Sequence, residues 1–394
     1  MGDNILTVCD KILNKGMINV PPKNIPNFGI PIPRDISTWR GKDRHGYVID
    51  AVEVIRLQDT DVHLYYGLDE ILSGFEYSKK LGEGGQGSVW FVSQHPLDMV
   101  KKHHFDALTI KEAQVSVKVD TSVPYSDFMD AWKLEVAKSH KDYTIAQQKM
   151  SRGSSFIRSH HIAFNEKSIA GATPDKYGYV YPMILLVNEY IDGVDLADIH
   201  KIYPNPQTMV PPLGPNQSFH HVPGVISLGI AFFVAKSFHD LHRLNLVNRD
   251  IKPWNMMFDK RVGRFVIIDA LSICVPEYCR GSIHTKSYLP PQLNGVYPDK
   301  TLRSRNMYMA LDAYAVKLSI VKMVEIILYV HYKQTGINVE NSQIIQGVLQ
   351  IVKSNMNLDK HSQFDMSYKT GRLSKLLNDL RGFIKYLYPS STLV

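Results

Sequence analysis

The sequence predicts an α+β protein with a strand-rich first half and a helix-rich second half. Residues 47–120 contain alternating apolar and polar stretches such as GYVIDAVEVI, SVWFVS and QVSVKV, which have the period of half-buried strands. After Gly193 the pattern changes, and apolar segments at 223–243 and 312–330 have the length of buried helices. With 394 residues, 44% of them hydrophobic, the chain can form one large domain or two packed lobes.

The other segments of the chain can be assigned in order. The first 45 residues are rich in proline and asparagine, as in NVPPKNIPNFGIPIPRD, and show no apolar period, so we expect an extended arm. Further along, SDFMDAWKLEVAKSHK keeps an apolar face through Phe128, Trp132 and Val136. Because Ser126 can cap this segment, it is predicted to be a helix. FIRSHHIAF and YVYPMILLVNEY are predicted strands.

The charge of the chain does not point to a nucleic-acid partner. A net charge of +7 and a pI near 9.0 would suit a polyanion. The lysines and arginines are scattered, however, and the densest basic cluster is the short KKHH at 101–104. Short charge runs are usually solvated surface, so nucleic acid is not expected to be a partner.

Cysteine usage and hydropathy favour an intracellular protein, in the cytoplasm or nucleus, that is not secreted. The N-terminus lacks a basic region followed by an apolar core. Cys9, Cys274 and Cys279 are an odd number without zinc spacing, which argues against a disulfide framework and favours a reducing compartment. The apolar segment at 222–238 is too short to span a membrane, and the one at 313–330 carries three charged residues. Both are therefore predicted to be core helices.

Glycines recur in LGEGGQGSVW, residues 81–90, directly after the strand-like FEYSKK. A glycine-rich hairpin lets backbone amides approach phosphates closely. A dinucleotide-binding turn has similar glycine spacing, but there the glycines lead into a helix, whereas this chain continues as the strand-like SVWFVS. A tight hairpin without a ligand has the same pattern, so this segment alone leaves both interpretations open.

A second motif carries more information. LVNRDIKPWNMMFD, residues 246–259, sets Asp250, Lys252 and Asn255 at fixed intervals around a proline, and VIIDALS follows with Asp269. With the glycine-rich segment before them, these motifs resemble, in order, those of the eukaryotic-type protein kinase superfamily over about residues 75–380. The chain resembles a divergent serine/threonine kinase of the kind that large DNA viruses encode.

The resemblance implies a two-lobed, protein-kinase-like fold. Residues 71–190 would form a small N-lobe, with a mainly antiparallel sheet of five strands and one helix. Residues 191–394 would form a larger helical C-lobe, with ATP and Mg²⁺ bound between the lobes. Residues 1–70 lie outside the resemblance and would be a partly irregular N-terminal extension.

The resemblance also implies a role for each polar residue of the second motif. Asp250 would orient the acceptor hydroxyl and accept its proton, Lys252 would face the transferring phosphoryl group, and Thr285 would contact both residues. Asn255 and Asp269 would hold Mg²⁺.

The resemblance places the nucleotide against the glycine-rich segment and the linker between the lobes. The loop residues in question are Leu81, Gly82, Gly84, Gly87 and Val89. In the linker LLVNEYIDGVDL, backbone groups of Glu189 and Ile191 would bind adenine, and Asp195 would reach the ribose. Asn188 would guard the back of the pocket, where a polar side chain needs its own hydrogen-bond partner.

The lysine that binds phosphate has two candidates. Lys118 lies in VSVKV, 17 residues before Glu135 on the predicted helix, a normal spacing for the lysine–glutamate pair of the family. Lys102, in MVKK, would make a shorter hairpin but leaves 33 residues before Glu135. Motif context favours Lys118, and both lysines remain candidates.

The remaining positions include one expected capping residue and four departures from the family pattern. Asp312, which opens DAYAVKLSIVKM, is expected to cap the backbone of the catalytic loop. Asn248 replaces the histidine that usually precedes the arginine and aspartate of that loop. Ala270 and Leu271 replace the phenylalanine and glycine after the metal-binding aspartate, and Gln292 replaces a glutamate that usually forms an ion pair.

The predicted activity is ATP-dependent phosphorylation of serine or threonine in proteins. Lys252 favours these acceptors, because tyrosine kinases carry an arginine-bearing loop instead. Two alternatives stay open. A small-molecule phosphotransferase shares the chemistry but usually lacks a peptide-docking segment such as residues 285–291. A pseudokinase or nucleotide-binding interaction protein would account for the departures at Ala270, Leu271 and Gln292.

Overall fold

We describe a computed structural model of the chain. It describes residues 4–15, 40–42, 45–57, 60–84, 87–103, 107–115, 117–118, 138, 145–146, 149–150, 155–170, 173–176, 178–205, 221–269, 271–276, 285–291, 305–356 and 371–392. The predicted helix at 126–141, with Glu135, therefore lies almost wholly outside the described residues, as do Ala270 and Gln292.

Strands dominate the first half of the chain. They are β1 (Arg40–Lys42), β2 (Val48–Asp50), β3 (Val52–Leu57), β4 (Thr60–Tyr65), β5 (Tyr77–Gly84), β6 (Gly87–Ser93), β7 (Ala107–Gln114), β8 (Val117–Lys118), β9 (Ser159–Asn165), β10 (Tyr179–Val180) and β11 (Met183–Glu189). Short helices α1 (Ile5–Lys15), α2 (Leu68–Leu72), α3 (Leu97–His103) and α4 (Glu166–Ala170) lie between or before them.

Helices dominate the second half. They are α5 (Val222–Arg243), α6 (Arg305–Thr335), α7 (Gln343–Ser354) and α8 (Gly371–Leu387). A small sheet of β12 (Gly193–Asp195), β13 (Met256–Asp259) and β14 (Arg264–Ile267) lies beside them, with 3₁₀ turns at Leu196–Lys201, Pro253–Asn255 and Lys286–Tyr288. The predicted α+β architecture, with a strand-rich lobe followed by a helical lobe, is confirmed.

The sheet of the N-lobe has seven strands in the order β3-β4-β9-β11-β7-β6-β5. Its neighbours are antiparallel except β4 and β9, which are parallel. The expected number of strands was five. The two additional strands, β3 and β4, come from the region that the sequence assigns to an N-terminal extension. They join the sheet because Val52, Val62 and Leu64 pack into the apolar layers on its two faces.

The expectation of an extended arm is wrong for residues 5–15, which form α1 and pack against α5. Ile5, Cys9 and Leu13 recur at intervals of four, lie on one helical face and are at most 1% exposed. Gly229 of α5 permits this close approach, because an added Cβ would lie 2.6 Å from the Cβ of Cys9. The helix is also tied to the C-terminal residues, since the Ser391 hydroxyl donates a hydrogen bond to the carbonyl of Leu13.

The core of the C-lobe forms around α5, which contacts α1, α6, α7 and α8. Among the described residues, α5 is the one helix long and apolar enough to cross a membrane, and 89% of its most apolar stretch is buried inside the protein.

Two local expectations differ from the structure. MVKK belongs to the amphipathic helix α3 rather than to a strand. The segment QVSVKV does not form one strand of the main sheet, because β7 ends at Gln114 and β8 pairs with β10 in a separate two-stranded sheet. Among the described cysteines, Cys274 is disulfide-bonded and Cys9 is a free, buried thiol.

Candidate active site

A buried carboxylate on α6 holds the backbone at the start of the polar loop. Asp312 is 1% exposed, and its two oxygens accept hydrogen bonds from the backbone N–H groups of Asn248, at 2.7 Å, and Arg249, at 2.9 Å. Nε2 of His242 lies 3.2 Å from the same carboxylate. Arg249 has a φ of 69°, a left-handed conformation that is uncommon for a residue with a side chain. Charge-assisted bonds stabilise this turn, and the predicted cap by Asp312 is confirmed.

Three residues converge beyond this turn. Oδ2 of Asp250 accepts a hydrogen bond from Nζ of Lys252 at 2.7 Å, and Oδ1 accepts one from the hydroxyl of Thr285 at 2.6 Å. Nζ of Lys252 also lies 3.0 Å from Oγ1 of Thr285. The structure therefore brings together the three residues to which the sequence assigns the acceptor side of the reaction. Asp250 is itself only 8% exposed.

Asn255 and Asp269 lie on the neighbouring side of Asp250. The 3₁₀ turn at Pro253–Asn255 points the amide nitrogen of Asn255 at the carbonyl of Asp250, at 2.7 Å. The same nitrogen lies 3.5 Å from Oδ2 of Asp269. The β13–β14 hairpin supports this arrangement, because the N–H of Ile268 donates to the carbonyl of Asn255 at 3.0 Å. The two predicted metal ligands are thus close together.

The donor set at this point fits Mg²⁺. Because the amide nitrogen of Asn255 is used by Asp250, its oxygen can serve an ion together with a carboxylate oxygen of Asp269. Mg²⁺ prefers hard oxygen ligands and is commonly held by one or two side chains, with phosphates and water completing its shell. The part of the chain described contains no group of three or more His, Cys, Asp and Glu that could hold a metal alone.

Lys111 completes the cluster, and the sequence reasoning missed it. It lies in the middle of β7, and its Nζ is 2.8 Å from Oδ1 of Asp269. Burial alone would raise the pKa of Asp269, but the charge and hydrogen bond of Lys111 outweigh burial and hold that pKa below its usual value. The segment LTIK, residues 108–111, has the same alternation of apolar residues before a lysine as VSVK, and this signal could have identified it.

The two lysines that the sequence favoured lie elsewhere. Lys102 is exposed on α3. Lys118 is in β8, outside the seven-stranded sheet. Along the chain β7 lies between β6 and Lys118, and it is β7, the strand of Lys111, that pairs with β6 in the main sheet. Of these three lysines, Lys111 is the one for which a contact with Asp269 is observed.

The glycine-rich segment forms the end of the β5–β6 hairpin. Gly82 and Gly84 are exposed, and an added Cβ at either position would meet no atom within 4 Å. Gly87 differs, since an added Cβ would lie 1.9 Å from the carbonyl oxygen of Glu112 on β7. Packing against β7 therefore requires a glycine at position 87. It does not require one at Gly82 or Gly84, where the absence of a side chain leaves the backbone open to a ligand. Because a strand follows, the geometry is not that of a dinucleotide-binding turn.

The two apolar residues of this hairpin differ in exposure. Leu81 is 49% exposed, whereas Val89 is half-buried. An exposed leucine beside a glycine-rich turn offers apolar surface that a planar ring could cover.

The linker between the lobes is more polar than the sequence pattern suggests. The carboxylate of Glu189 is buried, accepts the N–H of Arg158 at 2.9 Å and pairs with Arg264 at 2.9 Å. Its carbonyl oxygen accepts the hydroxyl of Thr109 at 3.3 Å and, like any carbonyl, has a second lone pair. Asn188 has the partner it was expected to need, because the Ser159 hydroxyl donates to its side chain at 2.5 Å.

The remaining linker residues are placed as follows. Ile191 is 5% exposed. Asp195 accepts the N–H of Asp198 at 2.9 Å and so caps the following 3₁₀ turn. Burial raises the pKa of Asp195. The capping bond gives Asp195 a structural role, and a contact with a ribose remains a prediction.

Comparisons with known proteins give a distant structural likeness. No family model and no curated protein matches the chain. One similar solved structure is described as the ROP18 kinase domain in complex with AMP-PNP and sucrose. It is 14% identical, with a TM-score of 0.41, and the match covers 78% of this chain and 81% of that one.

The glycines give a direct test of the hairpin. We expect Gly87→Ala to destabilise the protein by about 2 kcal/mol or more, because its methyl group would collide with the backbone of β7. Gly84→Ala is the matched control and should change the free energy of unfolding by about 0.5 kcal/mol or less, because its surroundings are open. Urea unfolding measures both. Equal losses in the two variants would contradict the packing described for Gly87.

Proposed function

We propose that this protein transfers the terminal phosphoryl group of ATP to the hydroxyl of serine or threonine in proteins. One observation carries the proposal. The carboxylate of Asp250, already hydrogen-bonded to one hydroxyl and one ammonium group, lies beside the Asn255 and Asp269 pair that Lys111 contacts. The side chains proposed to orient the acceptor therefore lie next to those proposed to bind the phosphates and the metal.

Asp250 serves as the group that orients the acceptor. Its Oδ1 accepts the hydroxyl of Thr285 at 2.6 Å, so the same carboxylate has the position and chemistry to accept a substrate hydroxyl and then its proton. Lys252 lies 2.7 Å from the other carboxylate oxygen. Its positive charge offsets the negative charge that accumulates on the phosphoryl oxygens during transfer.

The nucleotide side uses residues of both lobes. Lys111 and the exposed backbone at Gly82 and Gly84 offer positive charge and N–H donors to phosphates. Asn255 and Asp269 would hold Mg²⁺, which when bound neutralises phosphate charge and orients the phosphates for in-line transfer. The positive charge of Lys111 helps to lower the pKa of Asp269, so this carboxylate stays ionised and can bind a metal ion.

The choice of protein substrates rests on the acceptor side. Lys252 favours an aliphatic hydroxyl, and the ordered segment at 285–291 lies beside Asp250, where it can contact a peptide. The resemblance to kinases of large DNA viruses and an intracellular location remain parts of this proposal. A small-molecule phosphotransferase or a catalytically silent protein would give different outcomes in the assay that follows.

The assay measures transfer of labelled phosphate from ATP to casein or histone with Mg²⁺. We expect Asp250→Asn and Asp269→Ala to abolish measurable transfer while leaving the protein folded, because they remove charges and ligands rather than core volume. Asp98→Asn, at an exposed position on α3, is the control and should be as active as wild type. Transfer at the wild-type rate in Asp269→Ala would sink the proposal. Transfer to small alcohols alone would favour the small-molecule alternative.

The three lysines give an independent prediction. Lys111→Met should lower kcat/KM by about two or more orders of magnitude, on the scale of a lost electrostatic contact in the transition state. Lys102→Met and Lys118→Met should stay within about threefold of wild type, because neither residue lies on the strand that faces Asp269. If Lys118→Met is instead the damaging change, the phosphate lysine is Lys118, as motif context first indicated.

A further inference from the structure

Asn248, where the family has a histidine, is bound into a network that its sequence position alone does not explain. Asn248 is 1% exposed, and its side-chain oxygen accepts the N–H of Asp250 at 2.9 Å. The same oxygen lies 3.0 Å from the hydroxyl of Ser272, which is also 1% exposed. The Asp250 N–H fixes the orientation of this amide, because turning it would bring two donors together.

The side-chain nitrogen of Asn248 differs from the side-chain oxygen in its hydrogen bonding. The side-chain nitrogen of Asn248 is buried and has no hydrogen-bond partner among the described residues. An unpaired buried donor costs stability. The oxygen of this side chain, in contrast, is an acceptor for two donors, the N–H of Asp250 and the hydroxyl of Ser272.

Ser272 connects this acceptor to the segment of Asp269. Its hydroxyl lies 3.0 Å from the carbonyl oxygen of Asp269 as well as from Asn248, and its single proton is shared between the two acceptors. Its own carbonyl accepts Nε of Arg249 at 3.2 Å. Further along, Val247 and Cys274 exchange two backbone hydrogen bonds of 3.0 Å. Residues 247–250 and 271–274 are thus joined side by side.

Leu271 fixes the same segment from the opposite side. It is 6% exposed and packs with apolar residues of the N-lobe sheet, among them Ala113 on β7. Asp269 is therefore held by Lys111, by the packing of Leu271 and by the hydroxyl of Ser272.

We propose that Asn248 and Ser272 are a positioning pair that sets the distance between Asp250 on the acceptor side and Asp269 on the metal side. This inference rests on the proposed phosphotransferase function. Neither residue touches the reacting groups. Their effect is to fix the separation of two carboxylates that must act on the two ends of one transfer, and a displacement of about 1 Å in such a site can lower the rate about a hundredfold.

The test compares kcat, KM and metal binding in single and double variants. We expect Ser272→Ala to lower kcat about tenfold with the KM for the acceptor within about twofold, because orientation is lost while substrate binding remains. Binding of Mg²⁺ with a non-hydrolysable ATP analogue, measured by calorimetry, should weaken about fivefold. Asn248→Ala should lower kcat more, by about thirtyfold, because it also leaves the Asp250 N–H without its acceptor.

The double variant decides whether the two residues act as a pair. Ser272→Ala in the Asn248→Ala background should change kcat by less than about twofold, since the bridge is already broken. Ser237→Ala is the matched control, because it deletes a hydroxyl that is equally buried, on α5. It should leave kcat and metal binding at wild-type values.

Each remaining outcome counts for or against the pair. If Ser272→Ala does not fold, Ser272→Cys keeps the volume with a much weaker donor and should show the same loss of kcat. Ser272 variants that match Ser237→Ala, or losses of kcat that multiply in the double variant, would overturn the inference while leaving the phosphotransferase function intact. Absence of transfer in the wild-type protein would overturn both.

Discussion

The geometry of the candidate active site depends on the hydrogen bonds that the buried carboxylate of Asp312 accepts. A polar side chain that is 1% exposed is costly to bury unless hydrogen-bond donors compensate it. Asp312 has two backbone N–H donors, from Asn248 and Arg249, and the ring of His242 nearby. These bonds allow Arg249 to adopt a positive φ, and the resulting turn points Asp250 and Lys252 toward Thr285. A helix in the core of the C-lobe thereby orients a loop at its surface.

Specific ionic and apolar contacts join the two lobes among the described residues. Lys111 on the N-lobe sheet pairs with Asp269, and Leu271 packs beneath that sheet. In the linker, the buried Glu189 carboxylate accepts the N–H of Arg158 from one lobe and pairs with Arg264 from the other. Because Lys111 and Asp269 belong to different lobes, the position of Asp269 depends on these contacts as much as on its own loop.

Much of the site could be predicted from the sequence, because its residues lie close together along the chain. Asp250, Lys252 and Asn255 fall within six residues, so their order alone indicates a shared loop. The lysine proposed to bind phosphate was harder to assign, since VSVK and LTIK carry the same local signal and the choice depends on which segment pairs with β6. The pairing of strands in a sheet depends on contacts between residues that are distant in sequence, so the pattern of one strand does not identify its neighbour.

The N-terminal region shows a different limit. The apolar residues of α1 recur with a helical period, but the proline-rich stretch after it hides this pattern when the first 45 residues are taken as one segment. The partner surface on α5 becomes visible only in the folded protein, where Gly229 makes room for Cys9. For the same reason the region of β3 and β4 was recognised as strand-like, yet was not assigned to the sheet that the two strands extend.

The most direct test of this account is amide hydrogen exchange at Asn248 and Arg249. If the Asp312 carboxylate holds these two N–H groups, they should exchange in the wild-type protein as slowly as amides in the middle of α5. In Asp312→Ala they should exchange about a hundredfold faster while the α5 amides keep their protection. Rapid exchange of both amides in the wild-type protein, at the rate of an exposed loop, would contradict the claim that a buried carboxylate organises the site.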